Sequence, residues 1–151
     1  PRRRRLQRNN RPVAGGTGLS PLTLTTRQTD PEEKMARIAV LYCKRIKDAS
    51  CIACAKCYKA MAEKNGEYAQ HDEIELVAMT DCGDCPGLTV PRMKLLNEIT
   101  GNLERPIDVV HFGTCIKLAM ETAQCPIDFD EMKAVLENKF GVRVVLGTHA
   151  Y

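Results

Sequence analysis

Residues 38–43 read Ile-Ala-Val-Leu-Tyr-Cys, and this run decides the fold class. A continuous apolar stretch with no polar alternation describes a strand covered on both faces. Three similar runs follow: Ile74 to Met79 (IELVAM), Ile107 to Phe112 (IDVVHF) and Val142 to Leu146. Helical segments separate them. Ser50 is placed to N-cap a helix that begins at Cys51 and ends before Gly66. Thr89 or Val90 opens a second helix, with Pro91 in its first turn and Gly101 just past its end. Thr114 caps a short helix through Thr122. Asp128 or Asp130 caps a last one, whose Met132, Val135, Leu136 and Phe140 share a face and which Gly141 ends. The order β-α-β-α-β-α-α-β predicts a parallel sheet with helices on both sides. The expected architecture is a three-layer αβα sandwich, flavodoxin-like or Rossmann-like, with a mostly parallel sheet of four or five strands.

This topology gives the eight cysteines their meaning. Cys43 ends the first strand. Cys82 and Cys85 follow the second, Cys115 follows the third, and His149 follows the fourth. Parallel strands all end on one edge, and that edge is where open α/β sheets place ligands. Cys51, Cys54 and Cys57 form C-x2-C-x2-C at the expected start of the first helix. On a helix these three lie within roughly 120° of one face, and a helix N-terminus lowers thiol pKa. Cys125, before Pro126, is left open between a site role and ordinary loop chemistry. His111 reads as a core histidine inside its strand. His71, beside Asp72 and Glu73, reads as part of a surface turn. The helix methionines Met61, Met93, Met120 and Met132 read as core.

Composition narrows the classes. The chain has 44% hydrophobic and 27% charged residues, with no Trp. No apolar run approaches the roughly 20 residues of a membrane span. Few aromatics argue against base stacking. The net charge of +3 is uneven. Residues 1–34 hold eight Lys/Arg against three Asp/Glu, which leaves fourteen against sixteen for the rest. The segment 1–34 is therefore expected to be a disordered basic tail or N-terminal extension, and 35–151 to be the domain, which has no charge pattern for nucleic acid. No apolar signal region follows the opening arginines, so a reducing, cytoplasmic setting is expected. In that setting clustered cysteines point to metal or redox chemistry. No G-x-G-x-x-G or Walker A pattern follows a strand, and no Ser/His/Asp set or carboxylate pair stands out.

Thiolates with an imidazole suit tetrahedral zinc, with Zn–S near about 2.3 Å. C-x2-C-x2-C also opens a ferredoxin-type cluster motif, although here no C-x3-C-P completes it. The run Asp81-Cys82-Gly83-Asp84-Cys85-Pro86-Gly87 is a C-x-x-C in a loop before a helix, suited to wrapping a metal. The motifs IAVLYC at 38–43, CYKAM at 57–61, CGDCPG at 82–87, HFGTC at 111–115, CP at 125–126 and GTH at 147–149 resemble the CGGC-domain proteins. The resemblance spans nearly all of 36–149. It implies a metal-binding domain, with zinc the expected metal, and names no activity. Asp84 stands where the second glycine of C-G-G-C would be. The expected ligands are Cys43, Cys51, Cys54, Cys57, Cys82, Cys85, Cys115 and His149. Zinc is the leading cofactor and an iron–sulfur cluster the alternative. Two other functions compete: a thiol–disulfide redox enzyme using Cys82 and Cys85, and a non-catalytic binding module stabilised by metal.

Overall fold

The first strand forms where the apolar run predicts it. In the computed structural model, which describes residues 35–47, 49–51, 55–85 and 87–150, β1 runs Met35–Tyr42. The segment 1–34, Cys54 and Pro86 lie outside the described residues. After β1 come α1 (Ala55–Ala62), a 3-10 turn (Gly66–Gln70), β2 (Glu73–Asp81) and α2 (Thr89–Asn102). β3 (Val109–Phe112), α3 (Thr114–Thr122), α4 (Phe129–Phe140) and β4 (Arg143–Leu146) complete the order. The strands form one parallel sheet in the order β2-β1-β3-β4, flanked by helices in three layers. No described helix is long and apolar enough to cross a membrane.

β1 is interior, and Ile38, Ala39, Val40 and Leu41 are buried. Their alternation sorts the two cores. Ile38 and Val40 pack with Ala60 of α1 and with Tyr68. Ala39 and Leu41 pack with Met93, Phe112, Ile116 and Leu136 beneath the other helices. Burying each of the Ile, Val, Leu, Met and Phe side chains among them contributes about 1.5–3 kcal/mol. Between Ile38 and Ala39 the pairing with β2 slips by one residue, so Leu76 faces Ile38 while Ala78 faces Ala39. This is a β-bulge at Val77. Val77 and Ala78 consequently pack on the same face of the sheet, between Leu76 and Met79 on the other.

The structure moves several predicted boundaries. α1 begins at Ala55, and Cys51 is not in a helix. The Ile46 carbonyl accepts from the amides of Ala49, Ser50 and Cys51 at 3.2, 3.0 and 3.1 Å, which gathers the chain into a tight turn. Ser50 therefore does not cap α1, which starts five residues later. α2 continues past Gly101, and the chain turns at Glu104, with φ 58°. β3 starts two residues later than predicted. Asp108 just before it accepts from the Arg37 amide at 3.0 Å and from its guanidinium at 2.9 and 3.1 Å. The start of α4 matches expectation: the Asp128 carboxylate accepts from the Glu131 amide at 3.0 Å, and Gly141 ends the helix at φ 66°. Replacing Asp128 with Ala is expected to lower stability by about 1 kcal/mol, measured by urea unfolding.

Candidate metal site

All four strands end on one rim, and the segments beyond the first three carry the thiols. Cys43 follows β1 directly. The Cys82 amide donates to the Tyr42 carbonyl at 3.1 Å, which sets Cys82 beside Cys43. The loop after Cys82 is held from both sides. Gly83 N–H donates to the Asp81 carboxylate at 2.8 Å, Arg92 clasps the same oxygen at 3.1 Å, and the Thr89 hydroxyl donates to the Cys82 carbonyl at 2.8 Å. Asp84 adopts φ 64°, a left-handed conformation that glycine accepts most easily and Asp tolerates. Its carboxylate accepts from the Cys85 amide at 2.9 Å and from Lys44 at 3.1 Å. The carboxylate thus stabilises a turn that glycine would make without help.

Cys43, Cys82, Cys85 and Cys125 line one narrow crevice, floored by Ile116, Ala119 and Ile127. Its interior is about 10 Å³, room for roughly one water-sized occupant. Cys125, left open by the sequence, reaches it from the connection between α3 and α4, where its amide donates to the Ala119 carbonyl at 3.2 Å. Cys115 lies behind, in the first turn of α3, and its sulfur accepts from the Cys43 amide at 3.1 Å. Burial pushes the Cys82 thiol up to about 11, helped by the neighbouring Cys43 and Cys125. Burial pushes Cys115 up to about 12.

Cys57 points elsewhere. Its sulfur lies 3.3 Å from the Thr148 hydroxyl. Thr148 is locked to Thr114, which donates to the His149 carbonyl at 2.8 Å and accepts from the Thr148 and His149 amides at 3.0 and 3.1 Å. The expectation that a helix N-terminus lowers this thiol's pKa is overturned. Burial outweighs the Thr148 hydrogen bond, and the Cys57 pKa is raised. The nearby Cys51 adds a smaller upward push to the pKa values of both Cys57 and Cys115. His149 faces an open depression beside Lys56, Lys59 and Glu63 on the α1 side, not the crevice. The expected C-x2-C-x2-C helix face is not formed, because Cys51 precedes α1 in a bridge with Lys47; Cys54 lies outside the described residues. Among the described residues no three His, Cys, Asp or Glu side chains converge closely enough to hold a metal ion.

His71 is the other correction. It is buried, not on a surface turn. Its Nε2 lies 3.0 Å from Nε2 of His111, whose Nδ1 is 3.0 Å from the Gly147 carbonyl. The Arg143 guanidinium is 3.2 Å from His71 Nδ1. A carbonyl only accepts, and a guanidinium only donates. The tautomers follow from these two ends: Arg143 donates to His71, His71 Nε2–H donates to His111, and His111 Nδ1–H donates to Gly147. Both rings are neutral in this arrangement. Burial lowers both pKa values, that of His111 to about 4. The hint in the sequence is that His111, on the α1 face of β3, needs a polar partner.

Residues 37–149 match the CGGC domain. The chain belongs to the CGGC-domain family. An uncharacterised protein of Methanocaldococcus jannaschii, MJ0582, is 36% identical over 118 residues, covering 75% of this chain and 86% of that protein. No solved structure matches the chain significantly. The CGGC motif, here Cys82-Gly83-Asp84-Cys85, forms the loop that closes one side of the crevice.

Proposed function

We propose that this CGGC domain binds a soft metal ion at the rim, zinc in preference to an iron–sulfur cluster, through Cys43, Cys82, Cys85 and Cys125. The observation that carries this reading is that four thiols from three separate loops line one crevice of single-ion size; no three of them stand at ligand distance as they are, so binding would draw the loops inward. Thiolate donors suit zinc and iron–sulfur clusters and disfavour hard cations. Cys115 supports Cys43 from behind. Cys57 and His149 lie on the α1 side, away from the crevice, and stand with Cys51 as candidate ligands of a second site; Cys54, also a candidate from the sequence, lies outside the described residues. When bound, a zinc ion would supply Lewis acidity or simply tie the loops together. The chain's own part is to fix Cys43 and Cys82 on the sheet edge and to bring the Cys85 loop over them.

A thiol-exchange enzyme would need a thiol of lowered pKa. Burial raises that of Cys82, so Cys82 is poorly suited to be the attacking thiol of an exchange enzyme. The test is anaerobic purification followed by metal and sulfide analysis with absorption spectroscopy. Near-stoichiometric zinc in colourless protein is the expected result, lost in the Cys82→Ser/Cys85→Ser variant. Protein that takes up neither zinc nor iron on reconstitution sinks the reading.

Metal uptake should also depend on pH. A ligand that enters as a neutral thiol must release its proton. Zinc affinity is therefore expected to fall as pH falls, by up to about tenfold per unit for each such ligand. Competition with a chromogenic chelator between pH 8 and 6 measures this slope; a flat profile would show that the thiols are not the ligands.

A further inference from the structure

α2 carries apolar side chains on two faces. Met93 and Thr100 are buried toward the sheet. On the solvent side Leu88, Leu95, Ile99 and Leu103 are 59%, 49%, 47% and 65% exposed. Their spacings of seven, four and four place them in one narrow stripe. A surface helix needs one apolar stripe to dock on its own core. This second stripe faces solvent among the described residues, as a contact surface does.

The two ends of the stripe differ in shape. At its N-terminal end a depression of about 210 Å³ is lined by Gly83, Leu88, Pro91, Arg92 and Leu95. Arg92, bonded to Asp81 at 3.1 Å, forms a fixed wall of it. At the C-terminal end stands Leu103, the most exposed of the large apolar side chains described. Knob and hollow are about 22 Å apart along the helix. A two-fold axis crossing the helix between Leu95 and Leu96 exchanges them. Leu103 of each copy then falls on the Leu88 hollow of the other, as an isologous interface requires. The same axis brings Glu98 of each copy beside Lys94 of the other, so the charges beside the stripe are complementary.

We propose that α2 is a self-association face, which pairs antiparallel with α2 of a second copy of this chain. One helix pair buries less than a standard stable interface, so the dimer is a weak, concentration-dependent one. Its hollow shares no lining residue with the thiol crevice, although Gly83 belongs to the loop between Cys82 and Cys85. Sedimentation of the full chain under reducing conditions, from micromolar to millimolar concentration, tests it. A monomer–dimer equilibrium is expected. Leu103→Asp should weaken it by about tenfold or more with unchanged circular dichroism. Glu98→Lys should weaken it too, and adding Lys94→Glu should recover part of the loss. A chain that stays monomeric throughout overturns the proposal and assigns the stripe to another occupant, either residues 1–34 or a different protein. A dimer indifferent to Leu103→Asp places the contact elsewhere and overturns it as well.

Discussion

Lowering the pH from 7 to 4 is expected to cost the protein on the order of 3 kcal/mol of stability through His111 alone. The folded pKa of His111 is lowered to about 4 by burial, below its unfolded value near 6.5. A depressed pKa gives stability that is complete above the unfolded value and is lost as pH falls through the folded one. About 2 kcal/mol should already be gone at pH 5, before most carboxylates titrate. The geometry gives the cause. Protonating His111 puts a second N–H on its Nε2, aimed at the N–H of His71 3.0 Å away. Arg143 stands behind His71 and opposes the added charge. Urea midpoints measured from pH 7 to 4 should fall in wild type and fall less steeply between pH 6.5 and 5 in His111→Leu, where the lowered pKa of His71 still contributes. That variant starts less stable, because it leaves the Gly147 carbonyl and His71 without their buried partner. An identical pH slope in both proteins would remove His111 from the explanation.

Replacing Gly83 with Ala should produce the second large loss, at least about 2 kcal/mol, together with loss of metal uptake. Gly83 has φ +94°, where a side chain is strained. A Cβ there would lie 2.5 Å from the backbone carbon and oxygen of Leu88. Backbone cannot swing aside as a flexible side chain can. Either the loop carrying Cys82 and Cys85 or the start of α2 must move. Gly101 supplies the control, since a Cβ there meets nothing within 4 Å. Gly101→Ala should be neutral or stabilise by about 0.5–1 kcal/mol. Urea unfolding with zinc analysis distinguishes the two. A Gly83→Ala protein as stable as wild type would mean that the loop has slack which this geometry denies.

The parts of the molecule legible in the sequence are those set by local pattern. An apolar run such as 38–42 can satisfy its burial only as an interior strand, and β1 is interior. Once the strands are placed, a parallel sheet puts Cys43, Cys82 and Cys115 at one edge. The parts that were not legible depend on contacts between distant residues. Nothing within 45–55 shows that the Ile46 carbonyl collects three amides and holds Cys51 out of a helix. His71 looks solvated beside Asp72 and Glu73 because its partner lies 40 residues away. Cys125 looks like loop chemistry until α3 turns back and brings it over Cys82. The lowered thiol pKa expected at the start of α1 failed for a related reason. A helix terminus is a local influence, and the burial that outweighs it comes from packing across the fold.

The bulge at Val77 gives the second strand a reserve of length. β2 spends two residues where β1 spends one, yet Asp81 still arrives level with Tyr42. Removing Val77 would join Leu76 directly to Ala78, restore plain alternation, and leave every later pair where it was. The position of Cys82 beside Cys43 is thereby decoupled from a single deletion upstream. No such reserve exists on the opposite side of β1, where β3 pairs residue for residue from Val109 to Phe112. A deletion there would turn Phe112 and the approach to Cys115 toward the wrong layer. The two halves of the rim thus differ in how much change in chain length they can absorb.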